Sequence, residues 1–161
     1  MTNKAIEVRA IGHSEADAAY ALMADIFMPN TNKDAAAVAW RGFVESAPVQ
    51  PPERARGAFL DGRCVGAYVI DEREICLAGA MVPAGFVGTV GVQRQLRGTG
   101  IGTAMMNDSF AYARRRGLAL LALHGVPRYY MPFGYVDVFD TSEISFRRTD
   151  VAALGAPLLR V

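Results

Sequence analysis

The chain has 161 residues, of which 52% are hydrophobic, and this is the size and apolar content of one domain with one core. A formal net charge of +1 and a charged fraction of 20% give no broad electrostatic reason to expect nucleic acid or a membrane surface as partner. Two cysteines favour a reduced protein over a disulfide framework. The N-terminal segment lacks the apolar stretch of a signal peptide, and no run approaches the roughly 20 apolar residues of a membrane span. We therefore predict a cytoplasmic protein.

The first segment alternates as a strand does over Ala5–Ile11. Ser14 is the predicted N-cap of a helix that has acidic residues in its first turn and ends near Met28.

A second helix is predicted to follow, with Asp34 as its N-cap. Its larger apolar residues, Val38, Trp40 and Phe43, are expected to point inward, and Pro48 marks its end.

A period of two then predicts an antiparallel hairpin, in which Ala58–Leu60 and Cys64–Ile70 are joined by the turn signal Asp61-Gly62. Cys64 and Cys76 are expected to be small buried hydrophobic side chains.

Two more strand-like segments cover Ile75–Met81 and Phe86–Val92, with an irregularity expected at Pro83–Gly85 between them. After the glycine-rich stretch that follows, apolar residues with helical spacing run from Ala104 to a stop at Gly117. Leu118–Leu123 is predicted to be a buried strand parallel to the one before the helix, which completes a βαβ unit.

The glycine-rich stretch between strand and helix has the chemistry of an anion site. A helix N-terminus offers unpaired amides and the positive end of the helix dipole. Glycines at 98, 100 and 102 let a ligand approach the backbone, and Arg94 and Arg97 add local positive charge. The pattern therefore favours a bound pyrophosphate.

Other glycine-rich phosphate loops fit the sequence less well. A P-loop requires lysine and then serine or threonine after its last glycine, but Gly102 is followed by Thr103-Ala104 and no lysine occurs after Lys33. A Rossmann unit places the loop early and an acidic residue about 20 positions later. Here the loop lies past the middle of the chain, and the corresponding region, Leu118–Leu123, has no acidic residue.

Two motifs in the expected order resemble the GNAT superfamily of acyl-CoA N-acyltransferases: Val90-Gly91-Val92 followed by Arg97-x-x-Gly100-x-Gly102, and the aromatic segment Tyr129–Tyr135. The resemblance implies an α/β fold of mixed type, with a central, mostly antiparallel sheet flanked by helices and the βαβ unit as the acyl-CoA site. It also implies that acetyl-CoA is the cosubstrate. The implied coenzyme contacts are Val90, Gly91, Val92, Arg97, Gly98, Thr99, Gly100, Ile101, Gly102 and Thr103.

The resemblance further implies acetyl transfer to a primary amine of a small molecule or peptide by direct attack, with Tyr130 protonating the leaving thiolate. Its neighbours Tyr129 and Phe133 are interpreted as packing residues. The strand Phe86–Val92 has no acidic residue, so the general base stays open among Glu45, Glu72, Glu74, His124 and a chain of waters. An acyl-CoA-binding sensor or regulatory domain with weak catalysis is the alternative.

Neither cysteine has the surroundings of a nucleophile. His13 and His124 form no ligand-spaced cluster, so we predict no metal.

The domain is expected to cover residues 1–150, with residues 151–161 as a tail or the start of a truncated further region. Strand-like pieces are predicted at Tyr135–Phe139 and Ile144–Phe146. A homodimer is the commonest expectation for the oligomeric state, and the sequence does not identify the acceptor amine.

Overall fold

The computed structural model describes residues 5–45, 52–126 and 128–138. The chain divides into two compact units, Met1–Gly125 and Val126–Val161, which are described separately. The predicted boundary at residue 150 lies outside the described residues.

A five-stranded sheet forms the centre of the first unit, in the spatial order β1-β2-β3-β4-β5. Neighbouring strands are antiparallel except β4 and β5, which are parallel. The strands are β1 (Glu7–Ala10), β2 (Ala55–Leu60), β3 (Arg63–Leu77), β4 (Ala80–Val92) and β5 (Leu120–Ala122). The helices are α1 (Ala16–Phe27), α2 (Lys33–Glu45) and α3 (Ile101–Arg116). The predicted fold class, a mixed and mostly antiparallel sheet flanked by helices, is confirmed.

The start of α1 differs from the prediction. Ser14 is not the N-cap, because residues His13–Glu15 form a 3-10 turn ahead of the helix. Glu15 accepts a hydrogen bond from the Gly12 amide at 2.9 Å and two from the Arg9 guanidinium, both at 2.7 Å. The bonds from Arg9, and then that from Gly12, lower the pKa of Glu15 to about 2. Glu15 is therefore the acidic side chain that secures this turn.

The start of α2 also differs from the prediction. Asn32, not Asp34, caps the helix, since its Oδ1 atom accepts hydrogen bonds from the amides of Asp34 and Ala35 at 3.0 and 3.1 Å. The expected inward positions are wrong for Val38 and Phe43, which expose 68% and 50% of their surface.

The reason for that exposure is that α2 packs mainly on α1 and buries only a small residue, Ala36. The two acidic residues of α1 pair with the two basic residues of α2: Asp17 with Arg41, and Asp25 with Lys33 at 3.3 Å. All four side chains are well exposed.

Strands β3 and β4 form one long hairpin. Their two-residue turn is Ala78-Gly79, so the prediction of a single strand over Ile75–Met81 is wrong. The expected irregularity at Pro83–Gly85 is also wrong, because those residues lie within the regular ladder of β4. The Pro83 carbonyl accepts a hydrogen bond from the Ala119 amide at 2.8 Å, so the backbone polar groups of Pro83 face the side of β5. The missing N–H of the proline therefore removes no bond from the ladder between β3 and β4.

The two cysteines lie on β3 in different surroundings. Cys64 is half-buried and its thiol donates to the Gly66 carbonyl at 3.3 Å. Cys76 is exposed, so the expectation of burial is wrong for Cys76, which lies near the tip of the long hairpin.

The turn of that hairpin suggests a stabilising substitution. Ala78 has φ +50°, a left-handed conformation that strains a residue with a Cβ. Ala78→Gly is therefore expected to raise the free energy of unfolding by about 1 kcal/mol, as measured by urea denaturation. Ala80→Gly, two residues further along in β4 and at negative φ, is the control and should be neutral or destabilising; equal effects of both changes would contradict the explanation.

Helix α3 packs its apolar face on the sheet, as the periodicity predicted. Its buried residues include Ile101, Met105 and Tyr112, which form one cluster with Tyr68 and Ile70 of β3.

The helix ends as predicted at Gly117, whose φ is +68°, and the Leu118 amide donates to the Ala113 carbonyl at 2.9 Å. The predicted buried strand Leu118–Leu123 is shorter than expected, since β5 covers only Leu120–Ala122 and its side chains are half-buried.

A buried ion pair joins α3 to the sheet. The Asp108 carboxylate of α3 accepts hydrogen bonds from Arg56 Nε, from Arg56 Nη2 at 2.9 Å and from the Tyr68 hydroxyl at 2.5 Å. The Arg56 and Asp108 side chains expose only 7% and 12% of their surface. Burial, and then the bond to Asp108, raise the pKa of Tyr68. The three groups therefore fix the middle of α3 over β2 and β3.

The described part of the second unit is short. It contains a 3-10 helix at Met131–Phe133, ended by Gly134 at φ +91°. The predicted strand Tyr135–Phe139 is wrong for Tyr135–Val138, which form no strand, while Phe139 and Ile144–Phe146 lie outside the described residues. No helix within the ranges given above has the length and apolar content to cross a bilayer.

Candidate functional site

The second half of β4 is interrupted by a β-bulge. Thr89 and Val90 together face the single residue Tyr68 of β3. Thr89 has φ +52°, which is strained for a β-branched side chain. The bulge turns the last part of β4 relative to its first part.

The parallel pairing between β4 and β5 stops just before this bulge. Only Ala84, Gly85 and Phe86 pair with β5. In the part of the first unit that the structure describes, the edge of Val87–Val92 on that side has no strand partner. An extended polar ligand could pair with these backbone groups, and Val90, Gly91 and Val92 lie on this segment.

Strand β4 leads directly into the glycine loop. The Gln93 amide donates to the Val65 carbonyl at 2.8 Å, which fixes the end of β4, and a short 3-10 turn at Arg94–Leu96 follows. Gly98 and Gly100 have φ of +78° and +90°, so the loop needs glycine at both positions. The Thr99 hydroxyl donates to the Leu96 carbonyl at 2.7 Å and closes the loop.

The loop ends at the first turn of α3. The first backbone bond of the helix runs from the Ala104 amide to the Gly100 carbonyl at 2.9 Å. Ile101, Gly102 and Thr103 therefore begin the helix at positions whose amides have no intrahelical acceptor. All ten predicted coenzyme contacts lie on the end of β4, on this loop or in this turn.

The loop carries positive charge but no acidic residue. Arg94 and Arg97 are both exposed, and the Arg97 Nε donates to the Val92 carbonyl at 3.3 Å. The helix dipole and the two guanidinium groups together favour an anion at this position.

Tyr130 lies in the second unit, in the turn before the short 3-10 helix. Its ring is half-buried and makes edge contacts with Tyr129 at 4.8 Å and Tyr135 at 5.8 Å between ring centroids. Burial, and then the neighbouring Tyr129, raise the pKa of Tyr130, so its hydroxyl keeps its proton at neutral pH. Tyr129 exposes 44% of its surface and is more open than a packing residue would be.

The four candidate bases differ in their surroundings. Glu45 is the exposed last residue of α2, Glu74 is exposed on the long hairpin, and His124 is exposed just after β5. None of the three is identified as a base by these surroundings.

Glu72 is the candidate with the clearest structural role. Its carboxylate accepts hydrogen bonds from the Tyr112 hydroxyl and from Arg116 Nε, both at 2.7 Å. Burial alone would raise the pKa of Glu72, but the bonds from Arg116 and Tyr112 outweigh burial and lower it. A carboxylate held in this way is a weak proton acceptor, which argues against Glu72 as the base.

A small cavity lies between α1, α2 and the sheet, next to the bulge. Its lining includes Tyr20, Trp40 and Thr89. The Trp40 Nε1 and the Thr89 hydroxyl are buried and have no hydrogen-bond partner among the residues that the structure describes. Sequence reasoning missed these two groups, because they come together only through the packing of α2 near β4.

Among the described residues, no group of three or more histidine, cysteine or acidic side chains could hold a metal ion.

These features fit one protein family. The family model described as an acetyltransferase (GNAT) domain matches residues 7–137. The chain therefore belongs to the GNAT acetyltransferase family, as the two sequence motifs predicted. No curated protein matches the sequence significantly.

Solved structures share the fold at low sequence identity. A transcriptional regulator from Bacillus halodurans C-125 has a TM-score of 0.72 at 15% identity over 88% of this chain and 100% of its own. A ribosomal-protein-alanine N-acetyltransferase from Brucella melitensis biovar Abortus 2308 has a TM-score of 0.66 at 20% identity, covering 88% and 99%. An aminoglycoside N-acetyltransferase in complex with CoA has a TM-score of 0.64 at 15% identity, covering 91% and 95%.

Proposed function

We propose that this protein transfers an acetyl group from acetyl-CoA to a primary amine of a small molecule or peptide. The observation that carries the proposal is the glycine loop at the start of α3, which follows β4 after one short turn. Among the described residues of the first unit, one edge of β4 has no strand partner over Val87–Val92. Membership of an acetyltransferase family and the structural likeness to an acetyltransferase solved with CoA support it.

In the proposed complex, the loop and the first turn of α3 bind the pyrophosphate. The amides of Ile101, Gly102 and Thr103 donate to phosphate oxygens, and Arg97 adds positive charge. Val90 and Val92 offer backbone groups to the amides of the pantetheine arm along the open edge of β4. No metal takes part in the proposal.

The chemistry is a direct transfer. The neutral amine attacks the thioester carbonyl carbon, the C–N bond forms, and the C–S bond breaks. Tyr130 gives its proton to the departing thiolate, and the amine loses a proton to a base or to water. A phenol, with an ordinary pKa near 10, suits a leaving thiolate of comparable basicity. We also propose that the protein is cytoplasmic and forms a homodimer.

The alternative is an acyl-CoA sensor without significant turnover. The observation that favours it is the lack of an acidic residue in β4 from Phe86 to Val92. A sensor and an enzyme would both bind acetyl-CoA, but only the enzyme would acetylate an amine.

Calorimetric titration with acetyl-CoA tests the coenzyme site. Gly100→Glu places an anion beside the proposed pyrophosphate and is expected to weaken binding by at least about 100-fold, since like charges at a binding site cost several kcal/mol. Wild-type protein that is folded but does not bind acetyl-CoA would refute the proposed function.

Two controls separate charge from backbone strain. Gly100→Gln has the size and strain of the glutamate variant without its charge, and it should bind better than Gly100→Glu. Gly117→Glu introduces the same anion at another glycine with positive φ, at the far end of α3, and should bind as the wild type does.

A further inference from the structure

Thr89 occupies the bulge of β4 in a backbone conformation that its side chain disfavours. Its φ of +52° lies in the left-handed region, which a β-branched residue rarely adopts. A strained residue of this kind persists only where the surrounding contacts hold it in place. The contacts of the Thr89 side chain therefore bear on the shape of the bulge.

The polar end of that side chain is buried in the small cavity between α1, α2 and the sheet. The Trp40 indole lines the same cavity. The Thr89 hydroxyl and the Trp40 Nε1 are both covered, and neither has a hydrogen-bond partner in the part of the chain that the structure describes. A buried donor or acceptor that stays unsatisfied costs more free energy than a typical hydrogen bond contributes, and native proteins keep few such groups. Two of them at one cavity indicate a shared polar partner.

The cavity has the size of one water molecule. Its volume is about 10 Å³, and a single ordered water requires roughly 10–15 Å³ and at least two polar partners. The indole N–H only donates, whereas a hydroxyl donates or accepts, so one water can accept from Trp40 and donate to Thr89. The rest of the lining consists of apolar side chains with Tyr20 and Tyr68, and it contains no charged group. The cavity thus suits a neutral ligand no larger than water.

We propose that a buried water bridges the Trp40 Nε1 and the Thr89 hydroxyl and thereby holds the bulge of β4 in its strained form. The bridge joins α2 to the segment Val87–Val92, in which Thr89 directly precedes Val90. Thr89 is in this way a positioning residue for the backbone groups that meet the pantetheine arm. This role rests on the proposed function, because it takes that segment as part of the coenzyme site.

Loss of the bridge acts on coenzyme binding through the population of the bulge. Without it, the strain at Thr89 is no longer offset, and part of the molecules adopt another conformation at this point of β4. The apparent affinity for acetyl-CoA then falls in proportion to the fraction that keeps the competent conformation.

A crystal structure of the coenzyme-free wild-type protein tests the bridge directly. We expect one ordered water within about 3.2 Å of both the Trp40 Nε1 and the Thr89 Oγ1. Thr89→Ser keeps the hydroxyl and should keep the water. Thr89→Val keeps the β-branched shape but removes the hydroxyl, and should lose the water.

Calorimetric titration with acetyl-CoA tests the positioning role. Thr89→Val is expected to raise the Kd about three- to tenfold, the effect of one buried hydrogen bond, and Thr89→Ser should restore it to within about twofold of the wild type. Trp40→Phe should also raise the Kd. The double variant Thr89→Val, Trp40→Phe should bind no more weakly than the weaker single variant, since both changes break one bridge. Val38→Ala, an exposed change on α2, should have no effect.

A wild-type crystal structure with no water at this position, or with a direct bond between the two groups, would overturn the bridge. An unchanged Kd in Thr89→Val, a Thr89→Ser variant as weak as Thr89→Val, or multiplying effects in the double variant would overturn the positioning role. Folded wild-type protein that binds no acetyl-CoA would refute the proposed function and the positioning role together, whereas the bridge is decided by the crystal structure alone.

Discussion

Replacing Asp108 with alanine is expected to lower the free energy of unfolding by about 3–5 kcal/mol. The substitution leaves the Arg56 guanidinium buried without its counter-charge and removes the acceptor of the Tyr68 hydroxyl. Because both partners of the ion pair are almost fully covered, solvent cannot replace the lost interaction. Urea denaturation followed by far-UV circular dichroism measures the change.

Asp17→Ala is the matched control, since it also removes a helical aspartate that is paired with an arginine. That pair is exposed, and its loss should cost at most about 1 kcal/mol. The double variant Arg56→Met, Asp108→Leu removes both charges and should be more stable than Asp108→Ala alone. If Asp108→Ala costs no more than Asp17→Ala, the buried pair does not hold α3 on the sheet.

Replacing Tyr130 with phenylalanine is expected to lower kcat by about 100-fold or more, which is the usual contribution of a positioned general acid. The affinity for acetyl-CoA should not change, because the proposed coenzyme contacts lie on β4, the glycine loop and α3. Steady-state rates of acetyl transfer, together with the calorimetric affinity, separate the two effects.

The pH profile gives a second readout for Tyr130. The acid must be protonated to act, so the wild-type rate should fall as pH rises through its pKa, and burial moves that fall above the ordinary phenol value of about 10. Tyr129→Phe, which changes the neighbouring exposed ring, should keep the rate at neutral pH. Its alkaline fall should persist but move to lower pH, because Tyr129 contributes to the raised pKa of Tyr130. A Tyr130→Phe enzyme with the wild-type kcat would show that water protonates the thiolate.

Local signals were sufficient to predict the strand, the glycine loop and the helix that form the candidate coenzyme site. The conformation of the glycine loop, the start of the helix and its end at Gly117 each depend on residues close together in the chain, so they can be predicted from local sequence patterns. The mixed α and β content was predictable from the periods of two and of 3.6 residues, which were clear over most elements, whereas the arrangement of the sheet and helices followed from the resemblance to the GNAT superfamily.

The features that sequence reasoning missed depend on tertiary contacts. The long hairpin was divided at Pro83, since proline usually ends a strand, but here Pro83 lies in the ladder where β4 adjoins β5 and its carbonyl is bonded by Ala119. Exposure of Phe43 and Val38 follows from the packing of α2 on α1, and no local pattern distinguishes this from packing on the sheet. The Arg56–Asp108 pair joins residues 52 positions apart.

The pairing of α1 with α2 also gives the protein an uneven response to ionic strength. The Asp17–Arg41 and Asp25–Lys33 pairs lie in solvent, where added salt weakens the attraction between exposed opposite charges. The Arg56–Asp108 pair beneath α3 is shielded from those ions. Added salt should therefore weaken the contact between α1 and α2 while leaving α3 fixed on the sheet, so that the two sides of the domain respond differently to the ionic composition of the solution.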